Sequence, residues 1–175
     1  TRCLELAPGF KAARHNYAVV LHRNNKPVEA LAQIDQLLAT EPRSPSFRNL
    51  KATVLARVGE YDGAIRLYEQ LLREYALQAR VWLSYGHALK TAGRQDDSIA
   101  AYRKSIELEP RLGEAYWSLA NLKTFRFTET DVAAMRAQLE RSDLTQEDRF
   151  HFHFALGKAA EDARDYADSF HHYAE

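Results

Sequence analysis

The side chains of this chain that could do chemistry form a recurring polar stripe rather than one cluster. His15, Val19, His22 and Arg23 come first, followed by Asn49, Thr53 and Arg57. Arg80, Leu83, His87 and Lys90 come next, and Glu114, Trp117, Asn121 and Thr124 close the series. Within a group the steps are mostly three and four residues, so each group shares one face of a helix. Cationic and hydrogen-bonding groups with one tryptophan suit recognition of a peptide that carries acidic and apolar side chains. They do not suit catalysis. The chain has no GxSxG turn and no glycine-rich phosphate loop, and its one cysteine, Cys3, has no histidine placed to activate it. The seven histidines raise the question of a metal. His151 and His153 are two apart and His171 and His172 are adjacent, so both pairs diverge on a helix. His15 and His22 share a face but lie two turns apart. None forms the i, i+4 pair of a helical zinc site, and no metal is expected. Glu161, Asp162, Asp165 and Asp168 read as a solvated helix end, and Tyr68, Trp82, Tyr102 and Tyr173 as core.

The stripe is set by a ruler of 34 residues. Pro8, Pro42 and Pro110 fall on it, and so do Gly59 and Gly93, with Asn25 in the equivalent place. Complete repeats follow at 11–44, 45–78 and 79–112, after a partial repeat over 1–10. In the third, Trp82, Gly86, Leu89, Gly93, Ser98, Tyr102 and Pro110 stand at positions 4, 8, 11, 15, 20, 24 and 32. Ala52, Leu55, Gly59, Ala64 and Tyr68 fill the matching slots of the second, and Ala18, Leu21, Asn25, Ala30 and Ile34 those of the first. Small residues at positions 8 and 20 let two helices approach. Gly or Asn at 15 ends the first helix in a left-handed turn. Proline at 32 ends the second, and Ala76 in its place predicts a softer exit. This pattern resembles the tetratricopeptide repeat (TPR), whose helix-turn-helix units stack into a right-handed superhelical solenoid, an all-α fold. The resemblance implies that positions 2, 5, 9 and 12 of each first helix line a concave groove; these are the stripe residues named above with Ala56 in the second repeat, while Arg23 and Arg57, one position further on, flank the stripe. It also implies that the segment from Cys3 to Pro8 is the end of a second helix and that the array is longer upstream.

Two recognition schemes known among such repeats do not fit. The carboxylate clamp wants Lys and Asn where His15 and Val19 stand, Asn at Leu50 and a basic residue at Ser84. The asparagine ladder of O-GlcNAc transferase fits Asn16 but not Leu50 or Ser84.

Bulk composition narrows the function further. The 175 residues are 46% hydrophobic, enough for a sizeable core, and no apolar run approaches the roughly 20 residues of a membrane span. Lys+Arg and Asp+Glu are both 24, so the net charge is zero, which argues against a nucleic-acid or membrane-surface partner. A lone cysteine excludes an intrachain disulfide and favours a reducing, cytoplasmic setting.

After residue 112 the ruler slips. Residues 113–124 read as another first helix, but FRFTETD replaces the expected glycine. Thr128 or Thr130 can cap a helix to about Arg141, and Thr145 with Asp148 can cap the next. The register returns over a partial repeat at 150–175, with Gly157 at position 8, Ser169 at 20 and Tyr173 at 24. The whole chain therefore reads as one solenoid, with 113–149 an irregular repeat. The blocks WSLANLKT-F-RF and FHFALGKA-ED within 113–175 resemble the stretch before the catalytic domain of bacterial TPR-sulfotransferase fusions. That likeness implies a non-catalytic arm with no cofactor of its own. The attached sulfotransferase domain, which uses 3′-phosphoadenosine 5′-phosphosulfate, would lie beyond Glu175.

Overall fold

The computed structural model describes Leu4, Leu6, Ala7 and residues 9–175. The readings of Cys3, Pro8 and the helix end between them lie outside these residues. The chain is all-α, with no strand among the described residues. Its helices come as antiparallel pairs: α1 (Lys11–Arg23) with α2 (Pro27–Thr40), α3 (Pro45–Arg57) with α4 (Tyr61–Glu74), and α5 (Ala79–Thr91) with α6 (Gln95–Leu108). Then follow α7 (Gly113–Ala120), α8 (Glu129–Leu139), α9 (Gln146–Asp162) and α10 (Tyr166–Ala174). Among the described residues no helix is long and apolar enough to cross a membrane.

Each hairpin turn is built the same way. Asn25, Gly59 and Gly93 have φ of 56°, 89° and 80°, as position 15 requires. The next residue closes the helix end: Lys26 N–H donates to Leu21, Glu60 to Leu55 and Arg94 to Leu89, at 2.9–3.0 Å. The turn between α9 and α10 repeats the arrangement with Arg164, at φ 63°, where Asp165 N–H donates to Ala160 at 2.9 Å. A side chain in the left-handed region costs roughly 1–2 kcal/mol, partly returned because glycine is more disordered when unfolded. Arg164→Gly is therefore expected to raise stability by about 0.5–1 kcal/mol, read as a higher midpoint in urea. No gain would mean that the Arg164 side chain offsets its own backbone strain.

The chain divides into two compact units. The first comprises the described residues up to Leu77 with Ala88–Gln95, and the second Gln78–His87 with Asp96–Glu175. In the first unit Ala18, Leu21, Ala30, Ile34 and Val54 form a buried cluster from α1, α2 and α3. The exit at Ala76 is not softer: α4 ends at Glu74, as far into its repeat as Thr40 and Leu108 are into theirs. Arg48, itself buried, grips Glu74 with both terminal nitrogens at 2.9 and 2.7 Å and fastens that end. Its hydrogen bonds hold the Glu74 carboxyl below its ordinary range.

In the second unit Tyr102 and Leu83 pack with Leu112, Ala115, Leu119 and Leu122. A second cluster joins Tyr116 and Ala120 to Met135, Phe152, Ala155 and Leu156. Helix α7 stops at Ala120 rather than running to Thr124. Asn121 caps it, its Nδ2 donating to the Trp117 carbonyl at 2.8 Å, and the chain turns so that Leu122 is buried and Phe125 meets Phe127 edge-on at 5.1 Å. Thr128 then starts α8 through a reciprocal capping box with Asp131, and Thr145 starts α9 by accepting from Asp148 N–H.

Candidate peptide-binding grooves

In the first unit the stripe falls on α1 and α3. His15 is half-buried, its Nε2 3.3 Å from Ser46 Oγ and its ring 5.6 Å from Phe47. Val19 is half-buried beside it in sequence register. The Thr53 hydroxyl donates to the Asn49 carbonyl at 3.0 Å and lies 3.1 Å from the Tyr68 hydroxyl, so it is already engaged. The open chemistry sits at the far end of these helices. His22 is held below the ordinary histidine range by burial and then by the charges of Arg57 and Arg23. Both guanidiniums therefore bear on one ring. Arg23 and Arg57 are exposed, and among the described residues neither has a hydrogen-bond or ion-pair partner. His22 Nδ1 is buried and likewise without one, as is Asn49 Oδ1 near the start of α3, away from this end. Lys90, at the end of α5 that belongs to this unit, is exposed.

The second unit carries a different set. Arg80 is exposed. Leu83, expected on the groove face, is only 4% exposed because it packs in a cluster with Tyr102, Leu119 of α7 and the flanking Leu112 and Leu122, and it offers nothing to a ligand. His87 bridges Tyr102, whose hydroxyl is 3.0 Å from Nδ1, and Glu114, 3.5 Å from Nε2. The bond from His87 holds Glu114 below its ordinary range against the opposing effect of burial. Trp117 is half-buried, with ring centroids 5.5 Å from His151 and 6.2 Å from Phe154. Phe154 in turn lies 5.7 Å from Tyr173. Asn121 is exposed but committed to capping α7. Sequence reasoning missed His151, Phe154 and Lys158. They occupy positions 2, 5 and 9 of the last repeat once Gly157 is set at 8, so carrying the same offsets one repeat further would have found them.

The aromatic residues read as core divide. Tyr68 and Tyr102 are fully buried, Trp82 is half-buried, and Tyr173 is 46% exposed because no later helix among the described residues covers it. The histidines also regroup: His153 and His172, on α9 and α10, bring their Nδ1 atoms to 3.1 Å. Burial pushes both below the ordinary histidine range. Among the described residues no group of three or more His, Cys, Asp or Glu is arranged to hold a metal ion.

Paired helices with left-handed turns at a fixed period, and polar stripes on the first helix of each pair, define a helical-repeat interaction protein. The profile of the tetratricopeptide repeat matches residues 18–75 and 49–113, and the chain belongs to that family. Members of the family generally mediate protein–protein interaction. The chain is similar to the small glutamine-rich tetratricopeptide repeat-containing protein 2 of Mycosarcoma maydis, 26% identical over 81 residues that cover 46% of this chain and 23% of that one. It is also similar to the Vi polysaccharide export protein VexE of Salmonella typhi, 32% identical over 92 residues, or 52% of this chain and 14% of the other. The chain thus spans less than a quarter of the length of these relatives. Among solved structures, MamA from Desulfovibrio magneticus RS-1 matches with a TM-score of 0.66 at 19% identity, covering 95% of this chain and 93% of that one. The thermophilic TPR protein TTC0263 from Thermus thermophilus gives 0.66 at 15% identity, covering 94% and 88%. Likeness at this level of identity carries the fold alone.

Proposed function

We propose that this chain is a non-catalytic interaction module whose stripe faces bind an acidic peptide segment, with Arg23 and Arg57 as its anchors. One observation carries the reading. Two exposed guanidiniums, without a carboxylate partner among the described residues, bear on His22, whose buried Nδ1 also lacks a partner. Buried polar atoms are ordinarily hydrogen-bonded, so this end of the groove is chemically incomplete. A carboxylate supplies what the guanidiniums need, and charge-assisted pairs with arginine are the strong ones. No cofactor enters the proposal, and its cytoplasmic setting rests on the lone Cys3.

The test uses a fluorescein-labelled peptide of alternating Glu and Leu as probe, followed by anisotropy at low and high salt. Binding is expected to weaken about tenfold or more when Arg23 and Arg57 are both changed to Glu, and to weaken with salt. An affinity unmoved by the double reversal, or equal for a Lys-Leu peptide, would overturn the reading.

A second reading makes the chain the substrate-presenting arm of a bacterial sulfotransferase. It is supported by the two sequence blocks within 113–175. Sequencing the coding frame past Glu175 tests it: a strand, a glycine-rich phosphate-binding turn and a helix there support it, and any other continuation removes it.

A further inference from the structure

We infer that His153 and His172 form a two-nitrogen site for a divalent transition-metal ion of the kind that favours imidazole, with water in its remaining positions. Two helices bring these rings together across 19 residues of sequence. The nitrogens that meet are the two Nδ1 atoms, 3.1 Å apart, with ring centroids at 5.3 Å. Two imidazole nitrogens bound at 2.0–2.1 Å to one tetrahedral ion stand about 3.3 Å apart. A few tenths of an ångström of opening, with both rings turned toward a common point, converts the ring-to-ring hydrogen bond into a chelate. Both backbones are anchored. His153 lies between the buried Phe152 and Ala155, and α10 is held by the buried Ser169.

One carboxylate beside His172 favours a cation there, against burial and the neighbouring Arg136. The Asp168 carboxylate faces its other nitrogen, Nε2, at 3.8 Å. A carboxylate that accepts the other N–H of a ligating histidine orients the ring and raises its basicity, and Asp168 stands just beyond that distance. The second Asp168 oxygen takes Arg136 at 2.9 Å and is held in place by it. Glu175 adds negative charge near His153. Arg149, Arg136 and the His171 ring oppose it. With only two protein ligands the site is open and of modest affinity, and imidazole ligands rank Cu2+ above Ni2+ and Zn2+. It is independent of the peptide-binding reading, since neither histidine belongs to the cationic end of the first unit.

Titration of the 175-residue chain with NiCl2 tests the inference, by calorimetry and by thermal unfolding. One ion per chain is expected, with Tm rising by roughly 2–4 °C at millimolar Ni2+. His153→Ala and His172→Ala should each abolish the rise, and His171→Ala should keep it. A rise that survives His153→Ala, or that vanishes in His171→Ala, would overturn the assignment. His172 is buried, and its removal can weaken the fold. A second readout therefore uses the unaltered chain: long-range 1H–15N spectra of the imidazoles during Zn2+ addition. The Nδ1 signals of His153 and His172 should move first and together. Prior movement of any other histidine, or none at millimolar Zn2+, would sink the proposal.

Discussion

Gly113→Ala is expected to cost roughly 3 kcal/mol, the upper part of the range for overpacking, and to lower Tm by about 6–12 °C. A Cβ on Gly113 would stand 2.5 Å from the Asp148 carbonyl oxygen, 2.9 Å from His151 Cβ and 3.0 Å from Asp148 Cα. These are backbone or backbone-proximal atoms, so no rotamer change relieves the clash, and α7 must move away from the start of α9. That movement also breaks the bond from Gly113 N–H to Asp148 Oδ1, now 2.9 Å. Asp148 is in turn part of the α9 cap, its other oxygen accepting from the Thr145 hydroxyl at 2.6 Å. One added methyl therefore disturbs a helix contact and a helix start together. Gly86 and Gly157 grade the prediction. At both, a Cβ would meet the ring of the tyrosine 16 residues later, at 2.5 Å for Tyr102 and 2.7 Å for Tyr173. Tyr102 is fully buried, whereas Tyr173 is 46% exposed and held by its contact with Phe154 and a long 3.4 Å bond to Glu161, so it gives way more easily. Alanine also gains about 1 kcal/mol of helix propensity over glycine. Gly86→Ala should thus lose about 1–2 kcal/mol net and Gly157→Ala should be nearly neutral. Denaturant midpoints of the three variants check the order, and a Gly157→Ala loss equal to that of Gly113→Ala would show that chain packing near α10 is tighter than the exposure of Tyr173 implies.

The sequence makes the turns legible because their chemistry is local. Asn and Gly at position 15 announce a left-handed residue, and the threonines at 128 and 145 announce helix starts. Arg164 defeats the same logic. Its side chain gives no sign of a positive φ, which is imposed by the helix-closing bond from Asp165 to Ala160. The early end of α7 was equally hidden, since it depends on Leu122 turning into a core that includes Tyr102, 20 residues earlier. The groove was legible as a face but not in depth. Helical spacing puts Leu83 on the stripe, yet its burial is decided by the helix packed against it. For the histidines, spacing within one helix was the wrong question: His153 and His172 meet across a turn, a relation that no in-helix period contains. The unpartnered His22 Nδ1 and Asn49 Oδ1 were also invisible, because whether a polar atom is satisfied depends on every neighbour at once.

Asp131→Ala is expected to remove roughly 2–3 kcal/mol, since one carboxylate serves two elements. It accepts from the Thr128 N–H at 2.9 Å as half of the α8 capping box, a cap worth about 1 kcal/mol. It also takes Arg103 of α6 in a two-pronged pair, one arm at 2.8 Å. Asp131 is 13% exposed and Arg103 36% exposed, so the pair is worth more than a surface bridge and less than a buried one. The Arg103 guanidinium lies 5.1 Å over the Phe125 ring, so losing Asp131 also loosens the segment that replaces the regular turn. Burial alone would push the Asp131 carboxyl up, but the bonds from Arg103 and Thr128 outweigh it and hold the group below its ordinary value. A carboxyl lowered on folding stabilises at every pH above its unfolded value, near 3.8, and that contribution fades as pH falls through the folded value. Asp131→Asn keeps a capping oxygen and deletes the charge. Its deficit relative to the parent chain should be constant from about pH 7 to about pH 5 and shrink below about pH 4. Urea unfolding at stepped pH measures this directly. A deficit that stayed constant down to about pH 3 would mean that the charge of Asp131 contributes nothing and that the cap alone accounts for its effect.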